Sequence, residues 1–220
     1  DMTAIAVCTN FFNGFRYAVA GYMFEYCLHG NVTIEGLIIN YTVFMAFGEV
    51  TCMIFGGLSP VFTKTVGSKR MAFFWSALLC LVLSIAFFFI PMSPDYIWVM
   101  IALVILTSIG IGIYSPLMWS MYADVADYHT EHFGASATGL IFSSGTMSQK
   151  FGTAISGSLI ALFLGWAGAN MITDKMGNTV IDPTSITDSV LMMVWSLFSL
   201  FPAVIAFLLM VLSYKFPIKK

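Results

Sequence analysis

Residues 122–152 read YADVADYHTEHFGASATGLIFSSGTMSQKFG, and this stretch decides what kind of chain it belongs to. An apolar helix ends in an acidic turn, Asp124 and Asp127, and a short polar loop follows. A second helix, rich in Gly, Ser and Thr, then carries a single lysine, Lys150, far from either end. A lone lysine at the centre of a membrane-spanning helix costs roughly 2.5–3.5 kcal/mol, so it points to function rather than to packing.

The composition around this stretch agrees with a membrane setting. Hydrophobic residues make up 59% of the 220 residues and charged residues 9%, whereas a soluble domain carries about 25% charged residues to cover its surface. Six segments have the roughly 20 mostly apolar residues a spanning helix needs: Met2 to Cys27, Leu37 to Phe62, Met71 to Ile90, Ile97 to Tyr122, Ala137 to Ala167 and Ser189 to Tyr214. Runs of this length exclude the alternating strands, about 10 residues long, of a membrane barrel. The expected fold is all-α and polytopic, with breakers at His29–Asn31, Pro60–Arg70, Pro91–Asp95, Asp124–Ser136 and Asp174–Asp188. Cys8, Cys27, Cys52 and Cys80 lie far apart in or beside apolar segments, which reads as small apolar packing residues rather than a metal or redox site. The net charge of −2 excludes the basic patch of a nucleic-acid binder. The chain starts at Asp1 with no charged n-region or signal peptide, which reads as a cut inside a longer protein.

Orientation follows from the basic residues. Lys64, Lys69 and Arg70 lie between the second and third segments, and Lys215, Lys219 and Lys220 follow the sixth. The opposite loops hold only Lys175. Both chain ends and the loops at 64–70 and 124–136 are therefore expected in the cytoplasm.

Three ionisable side chains approach the middle of a hydrocarbon core about 30 Å thick. At 1.5 Å per residue, Lys150 lies roughly 18–20 Å from Ala137, Glu49 is at a similar depth from Leu37, and Arg16 is roughly 15 Å from Tyr26. Arg16 and Glu49 read either as a pair tying two helices together or as groups lining a polar path. For Lys150 the alternatives are snorkelling to an interface and a binding role. Thr146, Lys150 and Thr153 share one helix face. The two threonine hydroxyls either face a site or bond back to their own helix. Ser148, Gly152 and Ser156 form a small-residue row that lets another helix approach. Gly110, Gly112 and Pro116 predict a bend, flanked by Tyr114, Ser115 and Trp119. Trp119 reads as either packing or a platform for a ring-shaped ligand. Asp124 and Asp127, one turn apart, either solvate a helix end or latch a gate. His129, Glu131 and His132 are weak evidence for a metal site, and none is assigned.

The motifs Ala123-Asp124 with Asp127-Tyr128, then Ala137-Thr138-Gly139-Leu140, then Gln149-Lys150-Phe151-Gly152 resemble the glycoside–pentoside–hexuronide:cation symporter family of the major facilitator superfamily. Asn13, Arg16, Tyr22 and Tyr26 resemble that family's seventh helix, and Gly67-Ser68-Lys69-Arg70 its loop between helices eight and nine. The chain departs from the family at His129, where a glycine is common, and at Gly134-Ala135-Ser136, where an arginine often stands.

The resemblance implies that residues 1–220 are helices seven to twelve, the C-terminal bundle of a twelve-helix fold, with the N-terminal six helices absent. It implies secondary active transport of a sugar or glycoside, coupled to sodium or a proton, by alternating access in the plasma (bacterial inner) membrane. Arg16, Tyr22, Glu49, Trp119, Thr146, Lys150 and Thr153 are then the candidates for substrate binding or coupling, and Asp124 and Asp127 for a cytoplasmic gate against the missing half. Arginine suits sugar oxygens because its fork presents five donors in fixed geometry. No cofactor is expected beyond the co-transported ion. The expected partners are the sugar, membrane lipids and the missing half. An alternative keeps the fold and carries another substrate, such as a lysolipid; a different class is a non-transporting assembly subunit. A membrane enzyme is disfavoured, because no histidine lies deep in a span.

Overall fold

A computed structural model describes residues 2–34, 37–134, 136–173 and 179–216. Lys175, Lys219 and Lys220, used above for orientation, and Ala135 lie outside them. Six long helices carry the fold: α1 (Met2–Tyr22), α2 (Tyr41–Val66), α3 (Lys69–Phe88), α4 (Ile97–Phe133), α5 (Thr138–Trp166) and α6 (Asp188–Lys215). In a setting without water a helix satisfies its backbone internally. The hydroxyls of Thr9, Ser76, Thr107 and Ser199 likewise donate to carbonyls one turn back in their own helices. Asn40 starts α2 by accepting from Val43 N–H, and Gly67 and Gly134 end α2 and α4 in the left-handed conformation. Such caps satisfy the orphan groups at helix ends.

Several boundaries differ from the sequence reading. The fold is not purely helical: β1 (Val32–Ile34) pairs antiparallel with β2 (Leu37–Ile39), and β3 (Met171–Thr173) with β4 (Thr179–Ile181). Leu37–Ile39 is thus a strand, because the Asn40 cap delays the helix. Counted from Tyr41, Glu49 lies roughly 12 Å into α2. Pro60 does not break α2, which runs on to Val66. The carbonyl that its ring crowds belongs to residue i−4, here Gly56, where no side chain hinders relaxation. The stretch Asp124–Phe133 is helix, not loop. It contains no Gly or Pro, and Tyr128 stacks on His132 at 3.9 Å while His129 lies 4.9 Å from Phe133. At 37 residues, α4 is roughly 55 Å long and outruns a hydrocarbon core of about 30 Å. Among the described residues four helices, α2, α3, α4 and α6, are long and apolar enough to cross a membrane. The other two, α1 and α5, are diluted by Asn10, Asn13 and Arg16 and by the Gly, Ser, Thr and Lys150 positions.

The packing shows a repeat that the sequence did not. The main contacts are α1 on α5, α2 on α4, α3 on α6, α3 on α4 and α1 on α6. Exchanging α1, α2 and α3 for α4, α5 and α6 leaves this set unchanged. Glycines repeat the relation at atomic detail. A Cβ on Gly14 would meet Ser156 Oγ at 2.6 Å, and one on Gly112 the Cys52 carbonyl at 2.6 Å. A Cβ on Gly48 would meet Ser108 Oγ at 2.8 Å, and one on Gly152 the Val7 carbonyl at 2.7 Å and Asn10 Cβ at 3.0 Å. The spacing is constant: 98 residues separate Gly14 from Gly112 and Asn10 from Ser108, and 104 separate Gly48 from Gly152 and Cys52 from Ser156. This is the pattern of paired three-helix repeats, built on small-residue crossings.

The core lies between α1, α3, α4 and α6. Phe15 stacks on Phe201 at 5.6 Å, Phe87 meets Phe198 at 4.8 Å, and Trp195 Nε1 donates to the Phe88 carbonyl. All four cysteines are free and at least half-buried, as packing residues would be. The outer faces stay apolar: Val50, Met53 and Ile54 on α2, Trp75 and Val82 on α3, and Val204 and Phe207 on α6 are exposed. Water would penalise so much contiguous apolar surface, whereas lipid does not.

Candidate functional site: a polar cleft along α1

Asn10, Asn13, Tyr17 and Gly21 recur at helical spacing and place one polar stripe along α1. Flanking helices turn the stripe into a cleft. On one side α5 contributes Thr153, Ser156 and Gly157, and on the other α2 contributes Tyr41. This middle section is an open groove of about 550 Å³; small-ligand sites typically span roughly 300–1,000 Å³. Toward the chain-terminal end it continues past Asn10 to Gln149 and Lys150. At the other end, where α1 winds into a π-helical turn at Met23–Cys27, it opens into a vestibule lined by Tyr22, Glu25 and Tyr26 and roofed by the β3–β4 hairpin. Tyr22 stacks on Tyr26 at 6.2 Å, and the Tyr26 hydroxyl accepts from Ile181 N–H at 2.9 Å, pinning the hairpin.

Midway along, a narrow crevice leads off the cleft beneath Asn13 and Tyr17. Arg16, Gly48, Glu49 and Ser108 line it. Arg16 is 6% exposed. Its guanidinium sits between the rings of Phe12 and Phe198, at 5.9 and 6.0 Å, and makes no hydrogen bond with any described residue. Glu49 is exposed on the cleft side. The two share the crevice without an ion pair within 4.0 Å, so the helix-tying pair is not formed in this conformation. Asn13 is held by the Tyr114 hydroxyl, which donates to its Oδ1 at 3.3 Å.

The remaining candidates sort by face. Thr146, Lys150 and Thr153 are all exposed on one side of α5, and Ser148, Gly152 and Ser156 are buried on the other against α1. Thr146 and Thr153 donate back to the carbonyls of Ser143 and Gln149. Lys150 makes no ion pair with a described acid. Trp119 stands outside this cleft, parallel to Phe142 at 6.3 Å and against Tyr122. Gly110 and Gly112 serve close crossings with α3 and α2. Asp124 has a partner that the sequence did not reveal: both its oxygens accept from Lys69 Nζ, at 2.8 and 2.7 Å, tying α4 to the start of α3. Asp127 is exposed. Among the described residues no cluster of three metal-ligating side chains comes together. Sequence reasoning missed Asn10, Tyr17 and Tyr41; the spacing of Asn10, Asn13 and Tyr17 was the available signal for the α1 stripe.

Comparison with known proteins adds to this geometry. The family model described as MFS/sugar transport protein matches residues 2–220. An uncharacterized 29.9 kDa protein of Pseudescherichia vulneris is 39% identical over 101 residues, 46% of this chain and 36% of that one. The inner membrane symporter YicJ of Escherichia coli K12 is 30% identical over 129 residues, 57% of this chain and 27% of that one. The chain thus aligns with about a third or less of these relatives' length. Among solved structures, the inward-open xylose transporter XylE of E. coli superposes with a TM-score of 0.66 at 19% identity, covering 99% of this chain and 48% of that one.

Proposed function

This chain belongs to the MFS/sugar transport family, and from that premise we propose that it is the C-terminal six-helix half of a symporter carrying a sugar or glycoside together with sodium or a proton. The observation that carries the reading is the cleft along α1, with a buried Arg16 beside it and, on its wall, a Lys150 that has no ion pair among the described residues. Charges at such depth face a cavity or a partner, not lipid. Neither α1 nor α5 is apolar enough to sit in lipid on all sides, which supports a second bundle packed over the cleft. Alternating access then rocks the two bundles about the midplane. In this reading Arg16, Tyr22, Thr153 and Lys150 meet the substrate or its counter-ion along the cleft, and the Lys69–Asp124 pair braces the terminal end. Trp119 and Thr146 shape the α4–α5 wall.

Reconstituted vesicles test the proposal. The complete transporter should accumulate labelled sugar under an imposed ion gradient, and residues 1–220 alone should not, because six helices supply one wall of the site. Accumulation by the isolated segment would sink the half-site reading.

The proposed orientation puts both chain ends and Ser68 in the cytoplasm of a multi-pass inner-membrane protein, since Lys64, Lys69, Arg70 and Lys215 share that end. On a background lacking the native cysteines, Ser93→Cys should react with an impermeant thiol reagent added to intact cells and Ser68→Cys should not. The reverse labelling would overturn the topology.

A further inference from the structure

We propose that the outer seam between α3 and α6 holds the headgroup of an acidic phospholipid, with Arg70 and Lys215 as its cationic contacts; the assignment rests on the membrane setting and orientation proposed above, not on what is carried. Both walls of this seam belong to this chain. The cleft is lined from α1, α2, α4 and α5, so a second bundle seated over it leaves the outer faces of α3 and α6 in lipid. Those faces suit lipid. Trp75, Leu79 and Val82 recur at helical spacing on α3, as do Val204, Phe207 and Tyr214 on α6, and all six are exposed. The faces meet where α3 packs along α6. There the Phe74 ring lies 6.1 Å from Tyr214 and 5.7 Å from Trp75. Trp and Tyr gather at the depth of lipid headgroups, and these stand at the end of the bundle that carries Lys69, Arg70 and Lys215.

At that depth Arg70 is held in place but its charge is not answered. Its guanidinium lies over the Tyr214 ring at 5.9 Å, and its Nη1 donates to the Phe216 carbonyl at 3.4 Å. Its Nε is buried without a hydrogen-bond partner among the described residues. No described carboxylate comes within 4.0 Å of it, because Asp124 is taken by Lys69. Lys215, the neighbour of Tyr214, is exposed and has no ion pair among the described residues either. Charge complementarity names the occupant. A guanidinium fork fits two phosphate oxygens as a bidentate pair. The Ser68 side chain does not cap α3, so the positive end of the helix dipole adds to the same field. The cytoplasmic leaflet supplies acidic lipids, which draw basic residues to its surface. A zwitterionic lipid would bring its own cation beside Lys215, and an acidic one does not. The acyl chains of the same molecule then lie along Trp75, Leu79 and Val204, a contact that no soluble anion makes.

Native mass spectrometry of the complete transporter, titrated in detergent with phosphatidylglycerol or phosphatidylcholine of equal chain length, tests the seam. The wild type should bind its first phosphatidylglycerol about tenfold more tightly than its first phosphatidylcholine. Arg70→Gln should lose this preference and bind both lipids alike, with phosphatidylcholine at the wild-type level as the sign that the protein is folded. Arg70→Lys keeps the charge and should keep part of the preference. Should Arg70→Gln not fold, the double variant Tyr214→Leu with Lys215→Gln takes its place. It leaves the Arg70 contact to Phe216 intact and should show a severalfold loss confined to phosphatidylglycerol. Equal wild-type affinity for the two lipids, or an undiminished preference in Arg70→Gln or in the double variant standing for it, would overturn the site. Displacement of bound phosphatidylglycerol by inorganic phosphate would make this a soluble-anion site and overturn the lipid assignment. An error in the orientation shows itself separately, as outside labelling of Ser68→Cys with the lipid preference intact.

Discussion

Placing an alanine at Gly152 will loosen the bundle by about 1–3 kcal/mol, the usual range for overpacking a close contact. Valine there will leave little folded protein. The Cβ would stand 2.7 Å from the Val7 carbonyl oxygen and 2.9 Å from the Phe11 nitrogen. Both are backbone atoms of α1, so no side-chain rotation relieves the clash and the two helices must separate. Separation uncovers Ser148 and Ser156 along the whole buried row of α5. Gly165 in the same helix is the control. A Cβ there meets nothing within 4 Å, and alanine is the better helix former, so Gly165→Ala should be neutral or slightly stabilising. Thermal unfolding in detergent, followed by fluorescence-detected size exclusion, separates the two. Equal midpoints for Gly152→Ala and the wild type would refute the close crossing.

Removing the charge of Lys150 will abolish coupled uptake by the complete transporter while leaving its abundance in the membrane unchanged. Lys150 is exposed on the cleft wall of α5 without an ion pair among the described residues. If a second bundle covers it, its partners are acids on that bundle. Losing one member of such a covered pair costs roughly 3–5 kcal/mol, so accumulation under an ion gradient should fall by about a hundredfold or more. Lys150→Arg keeps the charge and should retain part of the rate. Uptake by Lys150→Ala near the wild-type rate, at matched expression, would remove Lys150 from the mechanism.

The helices were legible because their apolar runs are long and polar, Gly and Pro residues mark the interruptions. Their ends were not. Tyr128–His132 and His129–Phe133 contacts hold a polar segment in helix where composition reads as loop, and the Asn40 cap turns Leu37–Ile39 out of α2 into a strand. Arg16 and Lys150 stood out because an isolated charge in an apolar run is costly to bury in a membrane. Asn10 and Tyr17 did not, since uncharged polar residues are common on buried helix faces and become informative only beside the flanking walls of α2 and α5. The Lys69–Asp124 bridge joins residues 55 positions apart, and nothing local announces it. The three-helix repeat was hidden because it is kept by glycines and small residues at matching depths, while the surrounding side chains differ.

That repeat has a mechanical meaning. The α1–α5 and α2–α4 crossings are two hinges seized at their pins, since each has backbone against backbone where an ordinary pair would have compressible side chains. A load applied at either end of the bundle cannot open these joints without breaking them. It is transmitted whole, as through a stiff frame, to whatever body rests against the cleft.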